Sequence, residues 1–128
     1  MNKKFKQLDA INQVAEFHKM FNHPIVEGEA KIPSVDRVRL RIELLEEELK
    51  EFKDACAKND IVEVADALCD MQYVLIGAVH EFGLGKYFPA LMDEVQRSNM
   101  SKVCQDEIEA NDTIASYRKQ NVVAYKEL

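Results

Sequence analysis

Between Ile61 and Phe82 the chain is apolar on nearly every side of a helical wheel, with Ile61, Val62, Leu68, Val74, Leu75, Ile76 and Val79 among the residues that leave it almost no wet face. A helix of that kind belongs in the middle of a bundle. Its one interruption is a narrow ribbon of Glu63, Asp66, Asp70 and Glu81, with Gly77 on the same line. No Lys or Arg occurs between Lys58 and Lys86, so the ribbon has no local counter-charge.

The rest of the chain supplies neighbours for this helix. Residues 5 to 21 place Phe5, Leu8, Ile11, Val14 or Ala15, Phe17 or His18, and Phe21 at spacings of three and four, which predicts a one-faced helix. The stretch NHPIVEGEAKIPS, residues 22 to 34, holds two of the three prolines and one of the four glycines and reads as an exposed loop. Ser34 suits the N-cap of a helix over 35 to 57, with AKND as its exit turn. Asp60 then opens DIVE, whose ends suit a capping box, and GLG stops the third helix near Phe82.

Pro89 marks the start of a fourth helix that runs through Lys102, and QDEIEANDTIASY reads as a fifth. The tail NVVAYKEL has the β-branched content for one short strand. The expected class is all-α, a helical bundle of four to five helices in a single domain over residues 1–128, since 128 residues at 47% hydrophobic content support one core. The central helix has more apolar surface than four short neighbours can cover, so a homodimer or homotetramer is expected.

A net charge of -6 without a Lys/Arg cluster argues against long nucleic acid as a partner. A small phosphate compound arriving with a divalent cation remains compatible, because the cation reverses the local field. Cys56, Cys69 and Cys104 are odd in number, lack CxxC spacing and fall in helical stretches, which suggests buried thiols in a reducing compartment. No signal-peptide pattern follows MNKKFKQLDA, and MQYVLIGAV is too short to span a bilayer. A cytoplasmic location without membrane contact is expected.

The second helix carries ELLEEELKEF, residues 43 to 52, where Glu48 falls among Leu44, Leu45, Leu49 and Phe52 on the apolar arc and Glu51 lies at its edge. Arg37 and Arg41 share that inward stripe, and an internal Arg41–Glu48 salt bridge is the plainest reading of it. In an antiparallel hairpin through AKND, Glu48 and Glu51 come opposite Glu63 and Asp66. Two unit charges about 4 Å apart repel by about 4 kcal/mol at an effective dielectric near 20, so four clustered acids must protonate, spread apart or hold a cation. Hard oxygen donors with no thiol or histidine pair nearby favour Mg²⁺, with Mn²⁺ as a substitute. Taken singly the acids have simpler explanations: Glu63 closes the capping box, Asp70 is solvated at a bundle edge, and Glu47 pairs with Lys50. A di-iron centre needs Glu-x-x-His pairs, and none of His18, His23 and His80 has a glutamate three residues before it.

ELLEEELKEFKDA, DIVEVADALCDMQYV and EVQRSNMSK together resemble the all-α nucleoside triphosphate pyrophosphohydrolase superfamily, the group with MazG, dimeric dUTPases and phosphoribosyl-ATP pyrophosphohydrolase. The resemblance runs from about Val14 to Lys102. It implies a Mg²⁺-dependent enzyme that splits a (deoxy)nucleoside triphosphate between its α and β phosphates into a monophosphate and pyrophosphate, with phosphoribosyl-ATP hydrolysis as the second chemistry. Glu48, Glu51, Glu63 and Asp66 match the metal ligands, and Glu47 or Glu48 would accept a proton from the attacking water. Asn99 and Lys102 match substrate-binding positions, although a lysine at a helix C-terminus also complements the dipole. His18, Arg41, Asp70 and Tyr73 complete the expected substrate contacts; Phe17, His18 and Phe21 either line a base pocket or are plain core. A non-enzymatic acidic module that binds a protein partner is the rival reading, but it places its carboxylates on an exposed face rather than inside apolar arcs.

Overall fold

The computed structural model describes residues 4–103 and 107–119, and among these the chain is all-α, with five helices and no strand. Two compact units divide it, residues 1–88 and 89–128. The first contains α1 (Ala10–Met20), α2 (Val35–Ala57) and α3 (Ile61–Glu81). From the second, α4 (Phe88–Met100, its first residue still in unit one) and α5 (Glu107–Lys119) are described. The tail NVVAYKEL, expected as a strand, lies outside the described residues.

Within the first unit α3 is the central element, as its all-round apolarity demands, and both α1 and α2 pack on it. Ser34 Oγ accepts a hydrogen bond from Arg37 N at the start of α2, and Asp36 adds a negative charge to that first turn. At the other end Lys58 caps the helix. Asn59 then takes a left-handed conformation (φ 55), which an asparagine tolerates better than a branched residue. Asp60 follows in extended conformation and accepts from Val62 N and Glu63 N, both at 3.1 Å. Half of the expected capping box is thus present: Asp60 caps α3, while the side chain of Glu63 turns toward Lys58 at 3.8 Å.

The α1 helix is shorter than its apolar spacing predicts. Residues 5–9 are not helical, and Phe5 and Leu8 stand 87% and 83% exposed. Periodicity alone gives an extra turn no stability; without an apolar surface to dock against, the first turn costs more than it returns. From Ala10 onward docking occurs. Ile11 O accepts from His80 Nε2 at 2.8 Å, and Phe17 meets Tyr73 edge-on at 5.5 Å, so α1 runs antiparallel to α3. Val14, Ile76 and Val79 form the core there, flanked by Ala10, Ile11, Leu84 and Phe88. Full burial of Ile76 contributes about 2 kcal/mol.

The loop over residues 22–34 is irregular, as its prolines imply, but it is fastened to the end of α3. Val26 N donates to His80 O at 3.0 Å and Lys31 N to Phe82 O at 3.1 Å. Gly83 makes this possible: its φ of 75 turns the chain out of α3, and a Cβ there would lie 3.0 Å from Ala30 Cα. Large apolar residues of α2 and α3 remain exposed within the chain, Ile42, Leu49, Ile61 and Leu68 among them. The same open faces carry Cys56 and Cys69, which are exposed free thiols rather than the buried ones expected; Cys104 lies outside the described residues.

Candidate metal centre

The α2–α3 hairpin brings Glu48, Glu51 and Asp70 together, each with a carboxylate oxygen within 4.8 Å of the others. Glu48 and Glu51 sit three residues apart on α2 and so share one face. Asp70 meets them from α3. Glu48 is half-buried, and its Oε2 is shut off from solvent with no hydrogen-bond partner. Burial first, then the charges of Glu51 and Asp70, push the Glu48 carboxyl above its usual range. Asp70 is raised too, by burial and by the neighbouring charges of Asp66 and Glu51. A buried carboxylate oxygen without a donor beside two more acids is an arrangement that a hard divalent cation relieves. The donor set is all oxygen, which is the preference of a hard divalent cation.

The four acids expected to share the pocket are therefore spread differently. Glu48 and Glu51 are in the cluster, Asp66 stands beside Asp70 at its edge, and Glu63 is exposed near Lys58 one turn closer to the hairpin loop. Asp70, expected as a substrate contact, is the third member of the cluster. Glu47 is exposed next to Glu48 and adds to its negative surroundings. Lys50 bonds Asp54 at 2.9 Å rather than Glu47.

Arg41 is 6% exposed, and its guanidinium is turned inward. Nη2 donates to Val74 O at 2.6 Å, and Nε lies 3.8 Å from Glu81 Oε2. Its ion-pair partner is thus Glu81, not Glu48. Glu81, 1% exposed, also takes a two-pronged contact from Arg37, with Nε to Oε1 and Nη2 to Oε2 at 3.1 Å. The sequence spacing puts Arg37 and Arg41 on the inward stripe of α2 and Glu81 on the acidic ribbon of α3, but nothing in it pairs them.

His18 is 3% exposed; its Nδ1 donates to Pro24 O at 2.8 Å. Burial and the nearby Arg41 lower its pKa against the raising effect of the Pro24 carbonyl. Tyr73 is half-exposed and joins Phe17, Phe21 and His23 in an aromatic group around Phe17, with ring centroids 4.6 to 5.7 Å from it. In the second unit Lys102 Nζ donates to Asn99 Oδ1 at 2.9 Å, so the two expected substrate contacts are neighbours at the end of α4.

A sequence model of phosphoribosyl-ATP pyrophosphohydrolase matches residues 14–99, two thirds of the chain. The chain belongs to the phosphoribosyl-ATP pyrophosphohydrolase family. Its matched span runs from Val14 in the middle of α1 through α2 and α3, takes in the whole acidic cluster and ends at Asn99 in α4, short of Lys102. One curated relative of this family member is "Uncharacterized protein L479" of Acanthamoeba polyphaga mimivirus, 28% identical over 92 residues. Those residues are 70% of this chain and 37% of that protein, so the chain spans a little over a third of the relative's length.

Proposed function

We propose that this family member is a divalent-cation-dependent pyrophosphohydrolase that cleaves a nucleotide between its α and β phosphates and releases pyrophosphate. The observation that carries the reading is the partnerless Glu48 Oε2 inside a three-carboxylate cluster. An acidic face for a protein partner would have no reason to bury one of its oxygens away from solvent with only other acids, Glu51 and Asp70, beside it.

Glu48, Glu51 and Asp70 would hold the cation, with Asp66 close enough to join through Asp70; Glu63 remains a ligand on resemblance alone. Mg²⁺ bound there supplies charge neutralisation for the phosphates and an acidified water. Glu47 or Glu48 is the acceptor for that water's proton; the exposure of Glu47 leaves it free to reach a substrate-side water. Asn99 and Lys102 keep the phosphate- or sugar-binding role that the resemblance implies.

The family match puts phosphoribosyl-ATP ahead of free (deoxy)nucleoside triphosphates as substrate, reversing the order in which the sequence motifs alone ranked them. Purified protein with Mg²⁺ should therefore release pyrophosphate fastest from phosphoribosyl-ATP in a panel that includes the common nucleoside and deoxynucleoside triphosphates. A folded protein that releases none from any of them refutes the enzymatic reading.

We further read the protein as a cytoplasmic homodimer or homotetramer. Val35, Ile42 and Leu49 on α2, and Ile61, Leu68 and Leu75 on α3, recur every seven residues and are all exposed in the single chain. Two such seams on adjacent antiparallel helices suit pairing with a second hairpin. No helix among the described residues is long and apolar enough to cross a membrane.

A further inference from the structure

The contacts that join α2 to α3 keep one register. Along α2, Arg37, Arg41 and Glu48 advance by four and then seven residues; along α3 the residues facing them, Glu81, Gly77 and Asp70, retreat by the same steps. The acidic cluster and the Arg37–Arg41–Glu81 network therefore lie on a single antiparallel alignment. The turn at residues 58–60 sets that alignment at one end of the hairpin, where Asp60 N donates to Ala55 O at 3.2 Å. At the open end the contacts are of another kind, charged and directional, with Arg41 and Glu81 buried and Arg37 partly exposed.

We infer that Arg37, Arg41 and Glu81 are positioning residues that pin the α2–α3 register so that Glu48 and Asp70 meet. Apolar contacts between the two helices are non-directional and tolerate neighbouring registers. A slip of one helical turn moves one helix along the other by about 5.4 Å, and a slip of one residue turns a side chain about 100° away. Either is enough to break a cluster whose oxygens lie within 4.8 Å of one another. Buried ion pairs seldom add much stability against apolar replacements of similar size, and their best-attested use is to select one register. Here the selection is tight because Glu81 engages both arginines. Arg41 also reaches Val74 O, one turn from Asp70, and fills the space above Gly77.

The functional half of this inference rests on the metal-centre reading; the register half does not. Spin labels on Arg39→Cys and Gln72→Cys, both exposed positions, report the register when Cys56, Cys69 and Cys104 are replaced by Ser and labelled chains are diluted with unlabelled ones. Mn²⁺ affinity, read from the free-ion signal, reports the cluster. The decisive variant is Arg37→Leu with Arg41→Met and Glu81→Leu, which removes all three charges together and leaves none unpaired. It should stay helical and melt near the parent temperature, yet give a broadened or split label distance and bind Mn²⁺ at least tenfold more weakly. Arg37→Lys, which keeps the charge and loses the fork, should fall between the two.

A label distance as narrow as the parent's overturns the register pin, whatever the metal does. A broadened distance with parental Mn²⁺ affinity overturns the positioning role. If the parent itself takes up no Mn²⁺, the metal-centre reading fails, and the label distance alone then decides for or against the pin. Should the triple variant not fold, Arg37→Lys decides by the same two measurements.

Discussion

Arg41 occupies the space that a side chain at position 77 would need. A Cβ on Gly77 would stand 2.2 Å from Arg41 Nη2 and 3.1 Å from His18 Nε2, so helices α1 and α2 both send a cation-forming side chain over the one bare position of α3. Arg41 cannot swing aside cheaply, because its guanidinium is bonded to Val74 O and lies against Glu81. Gly77→Ala should therefore destabilise the protein by about 1–3 kcal/mol, even though alanine is worth about 1 kcal/mol more than glycine inside a helix. Urea unfolding measures this. In a double-mutant cycle with Arg41→Met, most of the loss should disappear.

His18 makes stability depend on pH in a definite direction. Its pKa in the folded protein lies below the ordinary 6.5, so below that pH the unfolded chain binds more protons than the folded one. Stability is then fully present above about pH 6.5 and declines as pH falls from there toward the folded value. The groups that oppose the charged imidazole are burial, Arg41 from α2, His80 from α3 and His23 from the loop. Melting temperatures between pH 8 and pH 5 should fall more steeply for the parent than for His18→Gln, and equal slopes would count against this account.

Without a cation, the Glu48 carboxylate is a burden on the fold, held above its usual pKa by burial and by Glu51 and Asp70. Glu48→Gln should raise the melting temperature of metal-free protein. The same change should abolish the further stabilisation that Mg²⁺ or Mn²⁺ gives the parent, which amounts to about 2.7 kcal/mol when the free ion is at a hundred times its Kd. EDTA should return the parent to its metal-free melting temperature and leave Glu48→Gln unmoved.

The cluster also ranks the acids of α3. Asp70→Asn should weaken Mn²⁺ binding by tenfold or more, whereas Glu63→Gln, remote from the clustered oxygens and beside Lys58, should change it by less than threefold. Titration calorimetry distinguishes them. Equal losses would mean that Glu63 reaches the ion as the family resemblance implies.

Much of the architecture is legible in the sequence. Helix α2 spans the residues that Ser34 and the AKND turn delimit, and the apolarity of α3 placed it at the centre. Glu48 stood out because a carboxylate interrupts a leucine arc. What could not be read was which acid of α3 faces it. The ribbon Glu63, Asp66, Asp70 offers three candidates at steps of three and four, and each small change in hairpin register favours a different one. The choice was made by the turn at Asn59 and by ion pairs some twenty residues from it, Arg37 and Arg41 with Glu81, which no local pattern reveals. Phe5 and Leu8 depart for the opposite reason: their spacing is helical, but nothing among the described residues covers them.

Val26 and Lys31 hang the segment between α1 and α2 from the carbonyls of His80 and Phe82. The segment therefore borrows its order from the tip of α3, on the same residues that flank Glu81. Amide hydrogens of Val26 and Lys31 should exchange with solvent in step with those of that helical tip, as one cooperative opening. Any substitution that loosens Glu81 should be felt first as faster exchange in this strap.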